Sequence, residues 1–115
     1  MARSATTSDV FNAVAEPQRR RILNLLQTGE RSVGDIAELL GLKQPQASKH
    51  LGVLRQVGLV RVREVGQQRL YALNAQSLQP LHAWVSSFEH LWTQRLDRLE
   101  TVLAELQQES HEPEP

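Results

Sequence analysis

Apolar side chains keep a helical spacing of three and four up to about Val57, switch to strict alternation, and then return to helical spacing. Val10, Phe11 and Val14, with Ser8 and Asp9 ahead of them as cap residues, predict a short first helix that Glu16-Pro17 breaks. Proline at the first helical position then opens a second helix, with Ile22, Leu23, Leu25 and Leu26 on one side and an end at Thr28-Gly29. Ser32 caps a third helix, Val33 to Leu40, with Asp35 as a shortened capping-box partner and Gly41 closing it. After a short loop from Gly41 to Gln44, Pro45 starts a fourth helix that runs to about Val57, where Gly58 supplies the stop. Two short helices across a tight, glycine-bearing turn form a helix-turn-helix unit.

Past Gly58 the period becomes two. Val60 and Val62 alternate with Arg61 and Arg63, Gly66-Gln67-Gln68 reads as a turn, and Arg69 to Leu73 returns, which predicts a β-hairpin. From about Ser77 to Gln107 the helical spacing resumes through Leu81, Trp84, Phe88, Leu91 or Trp92, Leu99, Val102 or Leu103, and Leu106, and predicts one long helix. The order α-α-α-α-β-β-α is that of a mainly α protein with a small β-hairpin, a winged helix-turn-helix.

The fourth helix carries the candidate chemistry. Its apolar stripe, Ala47, Leu51 and Leu54, leaves the opposite face to Ser48, Lys49, Gly52 and Gln56, with Gln44 and Gln46 at the N-terminal turn. Amides and hydroxyls at such a place suit base edges, and a lysine suits phosphate. His50 lies at the margin of the stripe, where a structural histidine and a base contact are both consistent with the pattern. On the hairpin, Arg61 and Arg63 share a face and read as phosphate clamps, while Gln67, Gln68 and Arg69 at or beside the tip suit a minor groove. The bland alternative is a generic solvated surface in both places.

Charge changes this picture through its distribution. The chain is neutral overall, with 13 Lys and Arg against 13 Asp and Glu, yet residues 17–73 carry ten basic and four acidic side chains, and residues 74–115 carry two and seven. A basic central block fits a polyanion, and the acidic segment should face elsewhere. The chain has no cysteine, which excludes disulfides and thiolate metal sites. With no long apolar run and no signal-peptide pattern, the expectation is a cytoplasmic protein. No nucleophile-base pairing, phosphate loop or carboxylate cluster marks an enzyme, and no cofactor is expected.

From Glu16-Pro17-Gln18-Arg19-Arg20-Arg21-Ile22-Leu23 through Gln44-Pro45-Gln46-Ala47-Ser48-Lys49-His50-Leu51 to Gly58-Leu59-Val60 and the wing, the chain resembles the ArsR family of bacterial repressors over about residues 9–105. The resemblance implies a homodimer that binds double-stranded DNA at an operator and is released by an effector of unknown identity. It places Gln44, Gln46, Ser48 and His50 on the DNA-reading helix and tips His50 toward DNA contact. The chain departs from the family's metal sensors, since its third helix has no thiolate. His82, Glu89 and His90 on the last helix leave a zinc-responsive repressor as one alternative, and a protein-interaction module without operator binding as another.

The last helix carries more apolar surface than a small core can cover. Trp84, Phe88, Leu91, Trp92, Leu99 and Leu103, with Val10, Phe11 and Val14 beside them, are therefore expected to pack against a two-fold mate. The expected organisation is a single domain over residues 1–110, with a DNA-reading core at 17–74, a dimerisation helix at 77–107 and a disordered tail at 111–115. Two-fold symmetry predicts an inverted-repeat operator.

Overall fold

A computed structural model describes residues 9–111, with side chains as far as Glu109. The cap candidate Ser8 and residues 112–115 of the expected tail lie outside the described residues. The chain divides after Leu81 into two compact units.

In the first unit the elements run α1 (Val10–Ala15), α2 (Pro17–Leu26), β1 (Arg31–Ser32), α3 (Val33–Leu40), α4 (Gln44–Gln56), β2 (Val60–Val65) and β3 (Gln68–Leu73), followed by a 3-10 turn over Ala75–Leu78. Asp9 caps α1 by accepting the Asn12 N–H at 2.7 Å. Glu16, held extended by the proline that follows, ends α1 and caps α2 by accepting the Arg19 N–H at 2.9 Å. Ser32 Oγ accepts the Asp35 N–H at 3.2 Å and starts α3.

Both helices of the helix-turn-helix end in the same way. Gly41 and Gly58 take φ of +67° and +81°, values that a residue with a Cβ adopts only at a cost. At the end of α3, Leu42 N–H reaches Ala37 O at 2.9 Å and Gly41 N–H reaches Glu38 O. At the end of α4, Leu59 N–H reaches Leu54 O at 2.9 Å and Gly58 N–H reaches Arg55 O. Each pair satisfies carbonyls that the helix leaves open and turns an apolar residue, Leu42 or Leu59, back onto the core. The core is Ala13, Ile22, Leu23, Leu26, Ile36, Ala37, Ala47, Leu51, Leu54, Leu59, Val60 and Tyr71, drawn from α1 to α4 and the sheet.

The sheet differs from the expected hairpin. It has three antiparallel strands in the order β1-β3-β2, because Arg31 and Ser32 pair with Tyr71 and Leu70 on the other edge of β3. The wing turn is tighter than predicted as well: Val65 pairs with Gln68, so Gln68 belongs to β3 and the loop is Gly66-Gln67 alone. Gly66, at φ +62°, occupies the first loop position, where a two-residue turn of the II′ type needs glycine. Helix α4 begins at Gln44, one residue before the predicted start.

The expected single helix over 77–107 is two. The first, α5, spans Gln79–Ser86, and α6 spans Glu89–His111, past the predicted end of the domain at residue 110. Ser87 Oγ donates to Trp84 O at 2.6 Å, and Ser87 N–H bonds both Ala83 O and Trp84 O. Such serine-to-backbone bonds compete with the helical ladder and close α5 in a tightened turn. No helix among the described residues is long and apolar enough to cross a membrane.

Candidate nucleic-acid interface

The exposed face of α4 exists because its other face is fixed. Ala47, Leu51 and Leu54 are fully buried, so Gln44, Gln46, Ser48, Lys49, Gly52 and Gln56 are turned to solvent. The side chains of Gln44, Ser48 and Lys49 make no hydrogen bond to any described residue. Gln46 is partly engaged. Its Oε1 accepts the Lys43 N–H at 3.3 Å, which steadies the first turn and leaves Nε2 and one lone pair of Oε1 for a ligand.

His50 is half-buried at the junction of α4 with the start of α2, its Nδ1 3.8 Å from Glu16 Oε2. That carboxylate also caps α2, so His50 sits beside a group with a structural task. Neither contact is visible in the spacing of α4 alone.

On β2, Arg61 and Arg63 share the exposed face, while Val60 is buried and Val62 half-buried on the other. Arg61 has no hydrogen-bonding partner among the described residues. Arg63 is held by Glu30, from the turn before β1. Its Nε lies 2.8 Å from Oε2 and 3.1 Å from Oε1, and its Nη2 donates to Oε1 as well. The hydrogen bond from Arg63 holds the Glu30 carboxyl below its usual range, opposed by desolvation and aided to a lesser degree by the charge of Arg63; the same bond raises Arg63. A carboxylate with a depressed pKa keeps its partner above its own titration, so the bridge persists at neutral pH and is lost as acid protonates Glu30. Gln67, Gln68 and Arg69 are all exposed, and Arg69 stands directly across the ladder from Glu64.

Three further arginines counted in the basic block spend donors on backbone carbonyls of the chain itself. Arg19 donates through Nε to Ala13 O at 2.7 Å and through Nη2 to Asn12 O. Arg20 Nη1 donates to Val14 O and Ala15 O, and Arg21 Nη2 to Leu40 O at 3.0 Å. These guanidinium groups close the C-terminal ends of α1 and α3. The sequence signal was an arginine run one turn beyond a proline break, close to the carbonyls that the break leaves open.

A second missed group fixes α4 to the wing. Asn74 Nδ2 and Ser77 Oγ each donate to Gly58 O at 2.8 Å, Asn74 Nδ2 also bonds Ser77 Oγ at 2.9 Å, and Asn74 N–H bonds Leu59 O at 2.8 Å. The corner between α4 and β2 is thereby clasped from the far end of β3.

Of the residues expected at a dimer seam, Val10 and Val14 are half-buried against the chain's own core, and Phe11 is exposed. In the second unit Trp84, Phe88, Leu91, Trp92, Leu99 and Leu103 are all exposed, as are Leu96, Val102 and Leu106. Trp84 and Phe88 pack edge to face with ring centres 5.3 Å apart. His82 Nε2 lies 3.5 Å from Ser86 Oγ. Among the described residues no three His, Asp or Glu side chains gather as a metal set.

Comparison with known proteins places this architecture. The family described as "Bacterial regulatory protein, arsR family" matches residues 16–62. The transcriptional repressor SdpR of Bacillus subtilis is 42% identical over 53 residues, 46% of this chain and 59% of that protein. Across the curated relatives it matches, the chain spans about half of their length. Among solved structures, a homodimeric winged helix-turn-helix DNA-binding domain from Mycobacterium bovis, a possible ArsR-family regulator, is 35% identical, with a TM-score of 0.59 over 75% of this chain and 82% of that one. The transcriptional repressor BigR from Xylella fastidiosa is 34% identical, with a TM-score of 0.55 over 68% of this chain and 81% of its own.

Proposed function

The chain belongs to the arsR family of bacterial regulatory proteins, and on that premise we propose that it is a sequence-specific, DNA-binding transcriptional repressor acting in the cytoplasm as a homodimer. The observation that carries this reading is the exposed face of α4. It presents uncharged amides and a hydroxyl beside one lysine, on a helix whose opposite side is locked into the core and whose two ends are closed. Gln44, Gln46 and Ser48 read base edges in the major groove, Lys49 and Arg61 neutralise phosphates, and Gln67, Gln68 and Arg69 carry the wing to the flanking groove. His50 supports the base of this helix through Glu16 and contacts DNA from its margin.

Repression by a symmetric pair follows from the unpartnered apolar stripe of α6. In the Mycobacterium bovis neighbour the corresponding domain is described as homodimeric. Two copies joined through Trp92, Leu99 and Leu103 set their reading helices roughly 34 Å apart, one turn of the duplex, on an inverted repeat.

The test is binding to fragments of the promoter beside the protein's own gene, followed across a salt series. Lys49→Ala and Arg61→Ala are expected to weaken binding to every sequence and each flatten the salt dependence by about 0.9. Ser48→Ala or Gln44→Ala should instead relax preference at single positions by about 1–3 kcal/mol. Retention of all four variants at wild-type strength and selectivity would show that α4 and the wing read something other than DNA.

A further inference from the structure

The geometry at the wing points to a control on its grip. Resting on the DNA-binding reading above, we propose that Glu30 is a built-in competitor for Arg63: its carboxylate occupies the guanidinium edge that a DNA phosphate takes, and so limits how tightly the wing holds the duplex.

Glu30 and Arg63 are 33 residues apart in the chain and meet only because the sheet brings β2 beside the turn that leads into β1. The carboxylate spans Nε and Nη2, the side-on fork that a phosphate uses with equal fit. Nη1 makes no hydrogen bond among the described residues. The arrangement is not sealed in, since the Arg63 side chain is 62% exposed and that of Glu30 32%. An ion pair in water at such exposure contributes little and is screened by salt. A DNA backbone offers a row of phosphates whose field is far stronger than that of one carboxylate. Exchange of Glu30 for phosphate at Arg63 is therefore accessible, and Glu30 is then left as a like charge beside the backbone.

The rest of the wing follows the same pattern. Arg69 stands opposite Glu64 in the ladder, and Arg61, two residues before Arg63 on the same face, has no partner among the described residues. Of the wing's three arginines, only Arg61 has no carboxylate bonded to it or set across from it. The wing's effective charge is thus well below its arginine count.

The experiment measures affinity of the full chain for a short random-sequence duplex by fluorescence anisotropy across a salt series, since a phosphate contact needs no particular sequence. Glu30→Gln keeps the shape of the side chain and removes its charge. It is expected to bind up to about fivefold tighter at low salt, with a salt slope steeper by about 0.9. Arg63→Ala should bind more weakly, and adding Glu30→Gln to Arg63→Ala should recover less than Glu30→Gln gains alone, since only the like charge beside the backbone is then removed and no guanidinium is freed. Equal or weaker binding by Glu30→Gln would mean that Glu30 is a strut that the wing needs, and overturns the proposal. A gain of the same size without Arg63 also overturns it, because the effect is then one of overall charge. If the unaltered protein holds no duplex at any salt, the DNA reading fails and this inference with it; wild-type binding combined with either adverse variant result removes the inference alone.

Discussion

Both units of the chain carry apolar stripes at helical spacing, but only one of them buries its stripe. Up to Leu81, the stripes of α2, α3 and α4 converge on one another and on the sheet, and Ile22, Ile36, Leu51, Leu54 and Leu59 lose all contact with water. From His82 on, no described side chain is buried, and Trp92, Leu96, Leu99, Leu103 and Leu106 stay about half exposed along α6. Periodicity therefore reports that a face wants covering and does not say whether the cover lies in the same chain.

The sharpest way to break that contrast is to remove the same group from each side. Leu54→Ala should destabilise the first unit by about 2–5 kcal/mol, read from urea unfolding, since it opens a cavity under α4. Leu99→Ala at monomeric concentration should stay within about 0.5 kcal/mol, because that side chain is 57% exposed already. If the two variants lose comparable stability, α6 is packed within its own chain and the contrast fails.

The next largest effect concerns the clasp behind α4. Asn74→Ala removes a donor from Gly58 O and is expected to cost about 1–3 kcal/mol in thermal unfolding, with the fold retained through Ser77. A cost as large as that of Leu54→Ala would mean that the clasp, rather than the apolar core, holds the corner. Smaller is the effect of the cap of α3: Ser32→Ala should lose about 1 kcal/mol, measured in the same way. No change at all would place the helix start under the control of β1 pairing.

How much of this was legible follows from how local each cause is. Helix α3 begins and ends where Ser32 and Gly41 say it should, because a cap and a left-handed glycine act within one turn. The exposed face of α4 was equally readable, since a buried stripe fixes its opposite side. Strand β1 was not, as two residues show no alternation and become a strand only when β3 lies alongside. The break after Ser86 was hidden by apolar spacing that continues across it, while the deciding bonds run from Ser87 to the backbone. At the candidate site, Gln44, Ser48, Lys49 and Arg61 stand exposed, as expected. The engagement of Arg63 with Glu30, and of His50 with Glu16, joins distant stretches of chain, and no local pattern announces such a meeting.

Helix α1 has only six residues, too few to persist alone in water, and its exit is splinted by the guanidinium groups of Arg19 and Arg20 gripping four of its last carbonyls. An ammonium at either place would preserve the ionic tally of the chain while losing the two-pronged grip. A lysine there is thus a mechanical substitution disguised as a conservative one.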